Sequence, residues 1–173
     1  MKLRSHWDST ASLWSEGETK QTWFVTLDGQ LDFLATWLEP ILDRPYLSAV
    51  PPEWLHLTLG AGDDTDAVRA RCAELEPVDA LVGPVRVVEE GVAAEVQPAA
   101  ALQALFEAIG GTGELWPHVT FAYARSEAEM EQLEVNASDA ILVSALTLVG
   151  LRREHELYRW DVVERVPLGP VHA

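Results

Sequence analysis

One six-residue pattern occurs twice in this chain. Trp54-Leu55-His56-Leu57-Thr58-Leu59 and Trp116-Pro117-His118-Val119-Thr120-Phe121 both read W-x-H-x-T-apolar. Side chains alternate between the two faces of a strand. If each copy is a strand, its Trp, His and Thr share one face, and Leu55, Leu57 and Leu59, or Pro117, Val119 and Phe121, take the other. The fold must then bring two such faces somewhere useful. Five histidines and ten threonines spread over 173 residues give about 0.3 H-x-T matches by chance. Two matches, each with Trp at the same upstream offset, are much rarer.

The rest of the chain bounds the setting. A length of 173 residues fits one domain with a sizeable core, and 48% hydrophobic content fits a soluble globular protein. No apolar run reaches membrane-spanning length. The opening Met1-Lys2-Leu3-Arg4-Ser5-His6 lacks the apolar stretch of a signal peptide, so the cytoplasm is the expected compartment. The single cysteine, Cys72, excludes an internal disulfide and a cysteine-based metal cluster. A net charge of −16 works against gripping a long phosphate backbone, for which proteins carry a basic stripe. A small substrate or one terminal nucleotide fits better, with no membrane partner and a monomeric state expected.

A coarse pass finds alternating helix and strand patterns. Residues 1–20 form a polar, loop-like N-terminal segment, followed by a single domain over 21–173. Gln21 to Leu27 is a strand candidate ending at the turn pair Asp28-Gly29. Leu31, Leu34, Leu38, Ile41 and Leu42 follow helical spacing, which Pro40 should kink or end. After the first motif, Asp64 or Thr65 caps a short helix with Val68, Cys72 and Leu75 on its apolar side. Strands around Val85 to Glu89 and Val92 to Val96 form a hairpin, and Pro98 opens a helix that Gly110 stops. Past the second motif, Ser126 and Glu129 have capping-box spacing for a helix to about Leu133. Two long strands, Ile141 to Leu151 and Leu157 to Val166, close the chain. A helix precedes each motif strand, so the chain divides into two related halves. The order implies an α+β fold of mainly antiparallel sheets with helices outside.

Two strands that each present an imidazole and a hydroxyl suit acid–base chemistry on a phosphodiester. One histidine takes a proton from water while the other protonates the leaving oxygen. Hydroxyls two residues further along can donate to the non-bridging oxygens as negative charge builds. With no Asp, Glu or third His at ligand spacing, the pair makes a poor zinc site, and no metal or cofactor is expected. No G-x-S-x-G occurs for a serine nucleophile. Trp54 and Trp116 are candidates to flank the cleft or stack a base. Tyr123 and Arg125, further along the second motif strand, are read as sharing the face of His118. Phe24 can stack from the first strand, and Arg152 belongs to a basic turn, Arg152, Arg153 and His155. Tyr158 ranks below these. Glu89 and Glu90 read as a solvated face. His6 and His172, near the termini, are assigned no role.

Paired H-x-T-hydrophobic motifs on two pseudo-symmetric halves resemble the 2H phosphoesterase superfamily, which includes 2′-5′ RNA ligase-like proteins and cyclic phosphodiesterases. Pro51-Pro52-Glu53-Trp54, Thr22-Trp23 and the closing Leu148-Val149 to Tyr158-Arg159-Trp160-Asp161-Val162-Val163 hairpin are similar to its small bacterial 2′-5′ RNA ligase-like branch, so the likeness covers about residues 21–168. It implies a bilobal fold, two mainly antiparallel sheets lining a central cleft, with one motif from each lobe. It implies metal-independent chemistry on 2′,3′-cyclic phosphates or 2′-5′-linked nucleotide or RNA ends. His56 and His118 become the acid–base pair, and Thr58 and Thr120 the phosphate-oxygen donors. Where the family often has a basic residue on the late strand, this chain has Val149-Gly150, with Arg152 two positions on. A catalytically silent nucleotide or RNA-end binding protein, and a hydrolase of cyclic oligonucleotide signals, are the alternatives.

Overall fold

The structure is a computed structural model that describes residues 1–170. In chain order its elements are β1 (Lys2–Leu3), α1 (His6–Ser9), β2 (Thr19–Thr26), α2 (Asp32–Leu42), β3 (Leu47–Ala49), β4 (His56–Gly60), α3 (Thr65–Cys72), β5 (Val78–Val88), β6 (Gly91–Gln97), α4 (Ala99–Ala108), β7 (His118–Ala124), β8 (Ala128–Glu129), β9 (Glu134–Val135), β10 (Asp139–Val143), β11 (Ala145–Glu154) and β12 (Leu157–Pro167).

The antiparallel architecture is as expected, with the two sheets joined at the middle into one ten-stranded sheet. One half runs β4-β2-β11-β12 and the other β7-β6-β5-β10, every pair antiparallel. The motif strands β4 and β7 stand at the junction, joined through the single pair Leu57–Val119. Helices cover one face. Leu34, Leu38 and Leu42 of α2, Val68 and Cys72 of α3, and Leu102 and Leu105 of α4 share one core with Leu55, Leu57, Leu59, Val119 and Phe121. The apolar residues of both motifs are therefore the inward set that strand alternation assigns them. The other sheet face, carrying the histidines, forms the cleft.

Local chemistry explains most element ends. Asp64 caps α3 by accepting from the amides of Asp66 and Ala67, each at 3.1 Å. Gly110 stops the segment after α4 at a positive φ of 89°. Pro40 lies inside α2, which runs two residues further. So close to the C-terminal end, the missing proline N–H interrupts little of the ladder.

Three local readings are replaced by tertiary pairing. Ser126 to Leu133 forms no helix, because Ala128 and Glu129 pair with Leu3 and Lys2 and Met130 is buried. The apolar run from Ile141 to Leu151 is two strands cut at Ser144, which lie in different halves of the sheet. Residues 1–20 hold β1, α1 and a 3-10 turn at Ala11–Leu13, anchored by buried Leu3 and Trp7. His172 lies outside the described residues.

Candidate active site

Carrying the Leu57–Val119 pairing one residue each way sets His56 opposite Thr120 and Thr58 opposite His118. The two histidines are thus diagonal neighbours across the junction, and each faces the other motif's threonine. Diagonal positions on adjacent strands lie about 7–8 Å apart at Cα, within reach of one bound group for side chains this long. All four residues line one cavity of about 380 Å³, with Trp116, Tyr123, His6, Trp14, Glu90, Ala93, Leu151 and Tyr158. A larger groove of about 1150 Å³ between α2 and the loop to Pro52 holds no histidine and offers no comparable chemistry.

Each motif orients its own imidazole. His56 Nδ1 lies 2.8 Å from the Trp54 carbonyl oxygen, and His118 Nδ1 lies 2.8 Å from that of Trp116. A carbonyl only accepts, so both Nδ1 atoms carry the proton and both Nε2 atoms are left as acceptors for the cleft. The acceptor is backbone, so this function makes no demand on the tryptophan side chain.

The ladder irregularities also match. Trp23 and Phe24 pair with Gly60 and Thr58, and Val92 and Ala93 pair with Ala122 and Thr120. Leu59 and Phe121 are therefore each the extra residue of a β-bulge, and both are buried. The apolar residue that follows H-x-T in each copy fills this role. The bulge settles the position of Tyr123. Simple alternation would turn a residue five places past His118 to the opposite face, but the bulge resets the phase and Tyr123 reaches the cleft. Gly91 pairs with Tyr123 at φ 153°, where a Cβ would collide with the Ala122 carbonyl oxygen. Only glycine lets β6 lie this close.

The two imidazoles sit in unlike surroundings. His56 stacks on Phe24 at 4.1 Å and meets the Trp160 ring edge-on at 4.8 Å. Desolvation lowers its pKa to about 4, against the pull of the Trp54 carbonyl, and the neighbouring His118 lowers it further. His118 stacks on Trp116 at 3.9 Å, and Trp116 is 50% exposed. Burial depresses His118 too, opposed by the Trp116 carbonyl. Both are neutral near pH 7 in the free protein.

The remaining candidates divide. Trp116 and Tyr123 line the cleft, and burial pushes the Tyr123 phenol well above its usual range. Phe24 is fully buried and supports His56 from behind, so it offers no surface to a substrate. Trp54 belongs to a 3-10 turn and packs edge-on against Trp160 at 4.7 Å, away from the cavity lining. Arg125 stands apart, its Nε 2.5 Å from Glu156. Arg152 is paired with Asp161 and Glu154. No lysine or arginine is among the described residues lining the cavity.

Four cleft groups lacked a sequence signal strong enough to place them: His6, Trp14, Glu90 and Tyr158. His6 donates through Nδ1 toward Glu90 at 2.8 Å, and its Nε2 lies 2.8 Å from the Tyr158 hydroxyl. Burial lowers the His6 pKa, partly offset by Glu90. The clue was present in Leu3 and Trp7, two large apolar residues in an otherwise polar segment. No three His, Cys, Asp or Glu side chains gather into a metal-binding group among the described residues. No helix among them is long and apolar enough to cross a membrane.

No protein-family model and no curated protein matches the chain. Solved structures do, and they define the fold: it is the one shared by LigT and by a protein described as a phosphoesterase. A protein of Thermus thermophilus, TT0787, is 17% identical with a TM-score of 0.65, covering 88% of this chain and 99% of its own. Escherichia coli LigT in apo form is 16% identical with a TM-score of 0.63, with the same coverage. A protein described as a phosphoesterase is 14% identical with a TM-score of 0.60. LigT structures with 3′-AMP and with NADP+ are also similar to this chain. At these identities the likeness is one of fold.

Proposed function

We propose that the chain is a metal-independent phosphodiesterase of the 2H type, acting on a small 2′,3′-cyclic phosphate or a 2′-5′-linked nucleotide end. The observation that carries this is the diagonal His–Thr arrangement, with both Nε2 atoms freed by their own motif's carbonyl. The LigT-like fold and the nucleotides bound by LigT support it.

In the hydrolytic direction, water attacks phosphorus and loses its proton to one Nε2. The bond to the ribose oxygen breaks, and that oxygen takes a proton from the other, protonated histidine. The products are a phosphomonoester and a free hydroxyl. Thr58 and Thr120 donate to the non-bridging oxygens as the pentacoordinate centre forms. His56, dry between Phe24 and Trp160, is held neutral more firmly than His118, which favours His56 as base and His118 as acid. A bound phosphodiester anion raises both histidines by charge attraction and supplies the protonated state that the acid needs. Microscopic reversal swaps the roles, so the same site serves ligation.

One observation favours a second reading, a binding protein without turnover: the lining offers a phosphate no permanent cation. Hydrolysis of 2′,3′-cyclic nucleotides in EDTA separates the two. Turnover in wild type, and a fall of about a hundred- to ten-thousand-fold in His56→Ala and in His118→Ala, is the expected result. Full activity in either variant, or strict metal dependence, overturns the proposal. Tight binding with no turnover across a broad panel favours the second reading.

A further inference from the structure

Two cleft-lining groups come from a segment that precedes the doubled motif. Residues 1–18 begin in a separate two-stranded sheet, where Lys2 and Leu3 pair with β8, pass the β5–β6 tip, where the Arg4 amide donates to the Glu89 carbonyl, and lead into β2 on the other half of the large sheet. Between these points the segment crosses the tips of both long hairpins. At the β5–β6 tip, Arg4 pairs with Glu89 at 2.8 Å and the Ser9 hydroxyl donates to Glu90 at 2.7 Å. At the β11–β12 tip, the Arg153 guanidinium lies 5.2 Å from the Trp7 ring and donates to the Trp7 carbonyl and the Thr10 hydroxyl. His6 stands at the crossing, bonded to Glu90 of one half and Tyr158 of the other, with its ring 4.3 Å from that of Tyr123. Leu3 and Trp7 are buried, so the segment is a packed strap rather than a loose tail.

The strap's His6 packs against Tyr123 of β7 and Tyr158 of β12 and holds the Glu90 carboxylate, and all four line the cavity. The remaining space, about 380 Å³, is at the small end for ligand pockets. A nucleotide chain continuing past the reacting phosphate would meet both an aromatic wall and a negative charge. We infer that the strap is the size and charge filter of this cleft, admitting a single nucleotide with one phosphate and rejecting the same cyclic end on a longer strand. This rests on the phosphodiesterase reading and selects, of its two substrate types, the cyclic mononucleotide over the 2′-5′-linked end.

The test compares kcat/KM for adenosine 2′,3′-cyclic monophosphate with that for a trinucleotide ending in the same group, in wild type and in Arg153→Ala. Arg153 holds the strap but does not line the cavity. Wild type is expected to favour the mononucleotide by about a hundredfold, and Arg153→Ala to narrow that ratio by about tenfold while leaving mononucleotide turnover within about threefold. His6→Ala should narrow the ratio too. A ratio near one in wild type, or an unchanged ratio in folded variants, overturns the filter. If Arg153→Ala fails to fold, wild-type affinities decide: equal binding of 3′-AMP and a 3′-phosphorylated trinucleotide refutes it, and tighter binding of 3′-AMP by about tenfold or more supports it. The same affinities decide if neither substrate turns over. Turnover that does not depend on His56 and His118 overturns the catalytic reading instead, whatever the ratio does.

Discussion

His56 converts its surroundings into a measurable stability. Desolvation between Phe24 and Trp160 takes the ring from 6.5 to about 4 in the folded state, whereas in the unfolded chain it titrates near its ordinary value. Between those two pH values the unfolded state binds more protons than the folded one, so unfolding free energy falls as pH drops through the window. The contribution is fully present above pH 6.5. It declines by about 2 kcal/mol at pH 5 and by about 3 kcal/mol once the pH is below 4. His56→Gln removes the titrating group and its linkage. Urea unfolding of both proteins at pH 7 and pH 5 should show wild type losing about 2 kcal/mol more than the variant over that interval. Comparing the two cancels the titrating groups that do not sense His56, such as His6. NMR titration of the ring should place its midpoint near 4. A midpoint near 6.5, or equal acid loss in both proteins, refutes the claim that this imidazole is held neutral by burial.

Inorganic phosphate, added during an NMR titration, should raise the midpoints of both His56 and His118, because an anion between them stabilises the charged rings; unmoved midpoints would separate the histidines from the phosphate site. Arg125→Ala and Arg152→Ala should leave kcat/KM within about twofold, since each guanidinium is spent on surface carboxylates outside the cavity; a large loss in either would place that arginine on the substrate. Phe24→Ala should cost about 3–5 kcal/mol in chemical denaturation and shift the His56 midpoint back toward its ordinary value, and a mild effect on both would remove Phe24 as the support of that ring.

The centre of this site is legible from sequence because it rests on the simplest periodicity in proteins. His56 and Thr58, and His118 and Thr120, share a face whatever the rest of the chain does, and the apolar residues between them have to be core. What alternation cannot show is where its phase is reset. Tyr123 reaches the cleft only because Phe121 is an extra residue in the ladder, and a β-bulge has no composition of its own. The Ser126–Glu129 capping signal is real chemistry that lost to a backbone partner more than a hundred residues away. Ser144 divides a run whose two parts pair at opposite ends of the fold, a distinction made by topology and not by propensity. The charged hairpin failed for a different reason. Arginine in an acidic chain invites a phosphate reading, yet the same excess of carboxylates gives Arg125 a partner in Glu156 and Arg152 one in Asp161, while Arg153 is taken up by the Trp7 carbonyl and the Thr10 hydroxyl. His6 was invisible because its role is set by Glu90 and Tyr158, both distant in sequence.

The twin bulges allow the two halves to be matched residue for residue, and the match exposes one inequality. Opposite Thr58 stands Phe24; opposite Thr120, at the same place in the other ladder, stands Ala93. One half fills the floor behind its imidazole with a ring, and the other leaves a methyl group. A nearly two-fold scaffold thereby holds two chemically unequal histidines over one cavity, one between the buried rings of Phe24 and Trp160 and the other stacked on the half-exposed Trp116. The difference between the two rings is a packing property. Ala93→Phe and Phe24→Ala together would exchange the floors and bring the titration midpoints of the two rings closer together.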